Sequence, residues 1–197
     1  MAVQVIALKC PSCGGSVNTS ESLCEYCGNA VMISSFRDVA EMPVPQVGKH
    51  VNAYREALAD APEDKELNTS AGMCFFKLRL YDQALSALEK AMPMNFDNSE
   101  VFFFAALCLL EGKMPFLHLR PTIDKILSYV DSAIAIEPRP IYYYFLAYIK
   151  YDYFKRKYLI TSPDYTALLS KALAAGVTEG QIGELFALLG TARPACL

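Results

Sequence analysis

Two cysteine pairs of identical spacing lie within the first 27 residues, Cys10-Pro-Ser-Cys13 and Cys24-Glu-Tyr-Cys27. Two intervening residues let one tight turn aim both sulfurs at a single point. Each pair is followed by a glycine, Gly14 and Gly28, which can take the left-handed conformation that turns backbone amides toward the thiolates. Pro11 presets the first turn. Ten residues separate the pairs, room for a short hairpin that brings the two turns face to face. The four sulfurs of Cys10, Cys13, Cys24 and Cys27 then form a closed tetrahedral site for one Zn²⁺. With no open coordination position, the ion is structural and not catalytic. A segment this short has almost no apolar core, so metal binding supplies most of its folding free energy, about 10–16 kcal/mol in comparable peptides.

Other readings of these cysteines fit less well. A redox CxxC occurs once and in a βαβ setting, which this sequence lacks. The N-terminus carries no basic n-region, and its apolar stretch is too short for a signal peptide. A cytoplasmic location is therefore expected, and there paired cysteines point to metal before disulfides. The remaining thiols, Cys74, Cys108 and Cys196, are scattered singly.

In the form CPSCGG…CEYCGNAV, residues 8 to 33 resemble the zinc-ribbon family. Zinc ribbons often touch nucleic acid. Residues 1–36 hold one basic side chain, Lys9, against Glu21 and Glu25, and a four-thiolate zinc site is itself formally negative. Phosphate contact needs several Lys or Arg, so a protein contact is the expected role. The ribbon is assigned to residues 1–36. Residues 37–47, with two prolines, read as a linker to a helical domain over 48–197.

Apolar residues in that domain recur at helical spacing, with glycine or proline between segments. The pattern predicts helices over 49–61, 67–79, 81–92, 99–112, 122–136, 141–157, 163–175 and 178–189, the last opened by a capping box of Thr178 and Gln181. The helices come in pairs with an internal repeat. One unit reads Tyr54-x-x-Ala57 then Pro62; the next reads Gly72, Ala84, Leu88, Ala91; a third reads Ala106, Val130, Ala133, Pro138. These residues resemble the tetratricopeptide-repeat family from about residue 49 to 157. Phe96 stands where the second unit should have proline, and an insertion over 113–121 separates the two helices of the third. The expected fold is mainly α, a tetratricopeptide-like helical solenoid with a small N-terminal β zinc ribbon.

An apolar share of 53% excludes a disordered chain. The longest uncharged apolar runs, 101–110 and 140–149, are ten residues each, half of what a bilayer crossing needs. No membrane partner is expected. A net charge of −3 also argues against non-specific attraction to nucleic acid.

The resemblance implies that the first helix of each unit lines a partner groove, which selects Thr69, Met73, Phe76 and Lys77. A second candidate is the tyrosine-rich segment 141–158, where Tyr144, Tyr148 and Tyr151 share a helical face with Lys155 one turn on. It reads as core with a cationic helix end, as a partner stripe, or as a stacking platform for single strands. No phosphate-binding loop, GxSxG elbow or metal-binding histidine pair is present, and the segment 172–189, of helix-turn-helix spacing, lacks Lys and Arg on its second helix. The expected function is a non-enzymatic adaptor that binds a protein partner through its helical surface. A nucleic-acid-associated regulator and an accessory subunit of a larger enzyme are the alternatives.

Overall fold

In a computed structural model, which describes residues 6–33, 35–94 and 96–197, the chain is mainly helical with a small two-stranded sheet at its N-terminal end. Strand β1 (Ala7–Lys9) pairs antiparallel with β2 (Ser16–Asn18), setting Leu8 opposite Val17. Both of these side chains are buried. The first cysteine pair forms the turn of this hairpin. The hairpin therefore surrounds a pair, and does not lie between the two pairs as their spacing suggested. The chain divides into two compact units, Met1–Phe96 and Asp97–Leu197.

In the first unit the sheet is followed by helices α1 (Phe36–Glu41), α2 (Val44–Asp60), α3 (Lys65–Lys77) and α4 (Tyr81–Ala91). The stretch 37–47, read from sequence as a linker, is largely helical. Ser35 caps α1 by accepting from the Asp38 amide. Pro45 falls in the first turn of α2, where a missing N–H removes no helical hydrogen bond. These prolines start a helix; the sequence reading treated them only as breakers.

The cysteine-bearing segment is fastened to these helices through backbone carbonyls of the chain leaving it. Tyr54 Oη of α2 donates to the Val31 carbonyl at 2.7 Å, and Ser70 Oγ of α3 donates to the Ile33 carbonyl at 2.7 Å. Lys77 Nζ donates to the Ala40 carbonyl at 3.0 Å. The Val31 and Ile33 side chains are fully buried. His50 of α2 is buried as well, its Nδ1 lying 3.1 Å from Tyr54 Oη. Because the Tyr54 proton is used on Val31, His50 Nδ1 is the donor and Nε2 holds a lone pair with no partner among the described residues.

Helices α3 and α4 touch at Gly72. A Cβ there would fall 2.6 Å from Leu88 Cγ and 3.3 Å from the Ala84 carbonyl oxygen, and Leu88 and Ala84 are both fully buried. The absence of a side chain is what allows the close approach.

The second unit holds α5 (Ser99–Cys108), α6 (Arg120–Ile136), α7 (Pro140–Ile149), α8 (Tyr165–Ala174) and α9 (Glu179–Leu189). Every residue from Ile141 to Ile149 is buried, with α6, α8 and α9 packed against α7. Phe103 of α5 meets the rings of Tyr142 and Phe145 at centroid distances of 4.5 and 5.5 Å. From Lys150 to Lys155 the helix widens to a π turn, with the Arg156 amide reaching back to Tyr151 and that of Leu159 to Phe154. The single helix expected over 141–157 thus changes pitch midway. Asp152, inside this turn, is buried; its Oδ2 accepts from the Phe116 amide at 2.7 Å and its Oδ1 pairs with Arg156.

Two outcomes follow. Gly72→Ala gains helix propensity worth up to about 1 kcal/mol but forces Leu88 out of place, an overpacking cost of about 1–3 kcal/mol. Net destabilisation by about 1 kcal/mol, read as a lower melting temperature, is expected. The second concerns His50, which burial holds below its ordinary 6.5, at about 4. Its neutral form thus supports folding fully above pH 6.5, and that support is lost as pH falls toward 4, up to about 3 kcal/mol. In denaturant melts between pH 7 and 4.5, His50→Gln should show the smaller acid slope.

Candidate metal centre

The two cysteine knuckles are built alike, fourteen residues apart. In the first, the Gly14 amide donates to the Cys10 carbonyl at 2.9 Å and the Cys10 amide to the Gly15 carbonyl at 2.8 Å. In the second, Gly28 donates to Cys24 at 2.8 Å and Cys24 to Asn29 at 2.8 Å. Gly14 and Gly28 have φ of 77° and 71°, the left-handed values that a side chain would strain. The strand residues Lys9 and Ser16 flank the first turn, and an isolated bridge between Leu23 and Ala30 flanks the second.

This repetition brings all four Sγ atoms within 4.8 Å of one another. Cys10 and Cys27 are 3.7 Å apart, as are Cys13 and Cys24. Tetrahedral zinc with Zn–S bonds of about 2.3 Å has S···S edges of about 3.8 Å. The donor set and its spacing therefore fit one ion. Cys10 and Cys24, the first of each pair, are buried, while Cys13 and Cys27 face outward. Asn29 Nδ2 lies 3.5 Å from Cys27 Sγ and supports it from outside. A Cβ on Gly15 would come within 2.6 Å of the Tyr26 ring, which packs on that backbone.

The sulfurs crowd one another electrically. Burial opposes the Cys10 thiolate, but the Cys13 and Ser12 amides and the nearby thiols outweigh it and bring its pKa to about 7. The Gly15 amide favours the Cys13 thiolate, yet desolvation and the three other sulfurs raise it to about 12. Cys24 is raised, chiefly by burial. A divalent cation offsets this like-charge repulsion and lets coordinating thiols lose their protons.

The other residues singled out in the sequence are placed differently. Thr69, Met73 and Phe76 are buried, and Thr69 donates to the Lys65 carbonyl at 2.7 Å. Lys77 is half-buried and committed to Ala40. These positions belong to the core of the first unit and are not open to a partner as the repeat resemblance implied. Tyr144 and Tyr148 are buried against Phe186 at 6.4 and 5.2 Å, and the half-buried Tyr151 rests on Tyr165 at 5.2 Å. The tyrosine face is packing, because α7 has neighbours along its whole length. Cys74 and Cys108 are buried too, with burial pushing the Cys74 thiol to about 12. Tyr54 and Ser70 tie the cysteine-bearing segment down with no sign of it in sequence: Tyr54 reads as a repeat position and Ser70 as a lone hydroxyl in a helix, and only the fold reveals their acceptors.

No protein-family model matches the chain, and no curated protein matches it.

Stripping the metal with a chelator, or replacing Cys13 and Cys27 together by serine, should speed amide exchange at Cys10, Gly14, Cys24 and Gly28 by at least about 100-fold. Unchanged protection after both substitutions would show that the sulfurs do not hold this segment together.

Proposed function

We propose that the chain is a non-enzymatic adaptor, a helical-repeat protein stapled by one structural Zn²⁺, that binds a protein partner. The observation that carries this reading is the closed cluster itself: four sulfurs at tetrahedral spacing, two of them buried, leave no ligand position for chemistry. Both histidines are engaged in the fold, His50 with Tyr54 and His118 Nε2 with the Leu110 carbonyl at 3.1 Å. A cytoplasmic location goes with a chain that keeps reduced thiols for metal.

Support for a tetratricopeptide-like arrangement comes from the Gly72 contact with Leu88 and Ala84, residues at the small and large positions of the repeat pattern. It comes also from sequential packing, α2 on α3 and α3 on α4 in one unit, α5 on α6 and α6 on α7 in the other. Repeats of this kind offer surface rather than reactive groups. With Met73 and Phe76 inside the core, the first unit's remaining candidate is the outer side of α4, where Asp82, Leu85, Ser86, Glu89 and Lys90 line an open depression. The nucleic-acid alternative is supported less, since Tyr144 and Tyr148 of the tyrosine-rich segment are buried.

Affinity capture from the native cytosol tests this. Partners should be retained after nuclease treatment and lost with Leu85→Glu or Lys90→Glu. Capture that depends wholly on nucleic acid would end the adaptor reading.

A further inference from the structure

The second unit leaves its most apolar exposed side chains beside its most basic segment. After the π turn the chain reads Lys155-Arg-Lys-Tyr-Leu-Ile160. Tyr158 is 95% exposed and Ile160 completely so. Tyr158 also has φ of 58°, a left-handed conformation that is unfavourable for a tyrosine and breaks the helix at that point. The insertion at 113–120 lies alongside, with Leu119 77% and Leu117 63% exposed.

These two segments are fixed to each other, not merely adjacent. The Phe116 amide donates to buried Asp152, and the Phe116 ring is covered by the Arg156 guanidinium at 4.6 Å and Lys157 Nζ at 4.9 Å. Lys157 also lies 3.9 Å over the Tyr153 ring. Lys113, Arg120 and Arg156 pair with Glu111, Asp124 and Asp152. Lys150, Lys155 and Lys157 have no carboxylate at ion-pair distance among the described residues. Segments 113–120 and 150–160 together hold six cations and one carboxylate, in a chain whose net charge is −3.

From this patch we infer a peripheral contact with an anionic lipid surface, through insertion of Leu117, Leu119, Tyr158 and Ile160 between headgroups held by Lys155 and Lys157. This goes beyond the adaptor reading and does not depend on it. Three observations favour lipid. The apolar chains stand clear of the protein, each of the four more than 60% exposed. Three of the four are aliphatic, leaving the Tyr158 ring alone for a base to stack on. And cations beside protruding apolar side chains complement the interface of an anionic bilayer. Among the described residues no helix is long and apolar enough to cross a membrane, so the contact lies on the surface. Counting apolar runs along the sequence tests only for spanning segments; this patch is assembled from two segments some forty residues apart.

The test uses the full chain with its metal and vesicles of phosphatidylcholine with or without about 30% phosphatidylglycerol, at about 0.1 M salt. Sedimentation with the anionic vesicles only is expected, weakening as salt rises. Lys155→Gln with Lys157→Gln should reduce partitioning about 25-fold, taking about fivefold per cation. Leu119→Ser with Ile160→Ser should reduce it by about tenfold or more. Lys155, Leu119 and Ile160 are exposed, so Lys155→Gln alone, expected to cost about fivefold, and Leu119→Ser with Ile160→Ser should melt like the parent; Lys157 is half-buried over the Phe116 and Tyr153 rings, and its variant counts only where the melt is unchanged. The chain has no tryptophan, which makes Ile160→Trp a single reporter whose emission should shift to the blue on anionic vesicles alone. The inference is overturned by absence of binding, by binding that ignores these substitutions, or by an unshifted Ile160→Trp spectrum. It is equally overturned if the same variants instead abolish binding to a single-stranded oligonucleotide or dissolve a self-associated form.

Discussion

Four sulfurs held within 4.8 Å of one another are the constraint on which the first unit depends. As thiolates they repel; as thiols they leave the turns with little to hold them. The segment's own apolar burial is confined to a few side chains, chiefly Leu8, Val17, Val31 and Ile33, too few to order some thirty residues against their conformational entropy. A cation held by all four would resolve both problems. The folded second knuckle sets where the chain leaves it, and so presents the Val31 and Ile33 carbonyls to Tyr54 and Ser70. The local order of the cysteine-bearing segment is thus passed on to α2 and α3 through two hydrogen bonds to backbone.

The tie is polar and buried, which makes it specific. A carbonyl removed from water needs a donor, and the cost of leaving one unpaired exceeds what the bond itself contributes. Tyr54 satisfies Val31, and His50 in turn donates to Tyr54, so the tyrosine is held from both sides. The end of that chain is the unpartnered His50 Nε2. As a neutral acceptor it costs little beside an imidazolium in the same place, which is why this side chain resists protonation.

Much of what was encoded locally was legible in the sequence. The spacing of Cys10, Cys13, Cys24 and Cys27 identified the cluster because two residues between ligands fix a turn, whatever surrounds it. Thr178 and Gln181 form the capping box that their spacing implies. Gly72 stands at a close contact with Leu88 and Ala84. What depends on a distant partner was not legible. Nothing near Tyr54 or Ser70 points to carbonyls 23 and 37 residues away. The π turn was missed because its cause lies partly elsewhere: Asp152 is drawn inward to serve the Phe116 amide, 36 residues back. Prolines 43 and 45 were ambiguous, since the same residue ends one helix and opens another.

The tyrosines show why amphipathic residues defeat a reading by periodicity. A tyrosine can be core if its hydroxyl finds a partner and interface if it does not, and the stripe in sequence is the same. In α7 two partners exist, Ser99 for Tyr142 at 2.9 Å and Thr191 for Tyr148 at 3.5 Å, while the buried Tyr144 hydroxyl has no hydrogen-bond partner among the described residues and its ring lies under Arg193. With those bonds made, the rings pack on Phe103 and Phe186 and the helix is buried throughout. One turn later the same composition has the opposite fate. Tyr153 and Phe154 are still buried, but past Lys157 the chain is exposed, and Tyr158 and Ile160 emerge into solvent beside cations clamped on Phe116. Burial here follows from the neighbours that α5, α8 and α9 supply, and not from the residues themselves. Where those neighbours end, the apolar surface left over is a property of the fold that the sequence pattern alone could not assign.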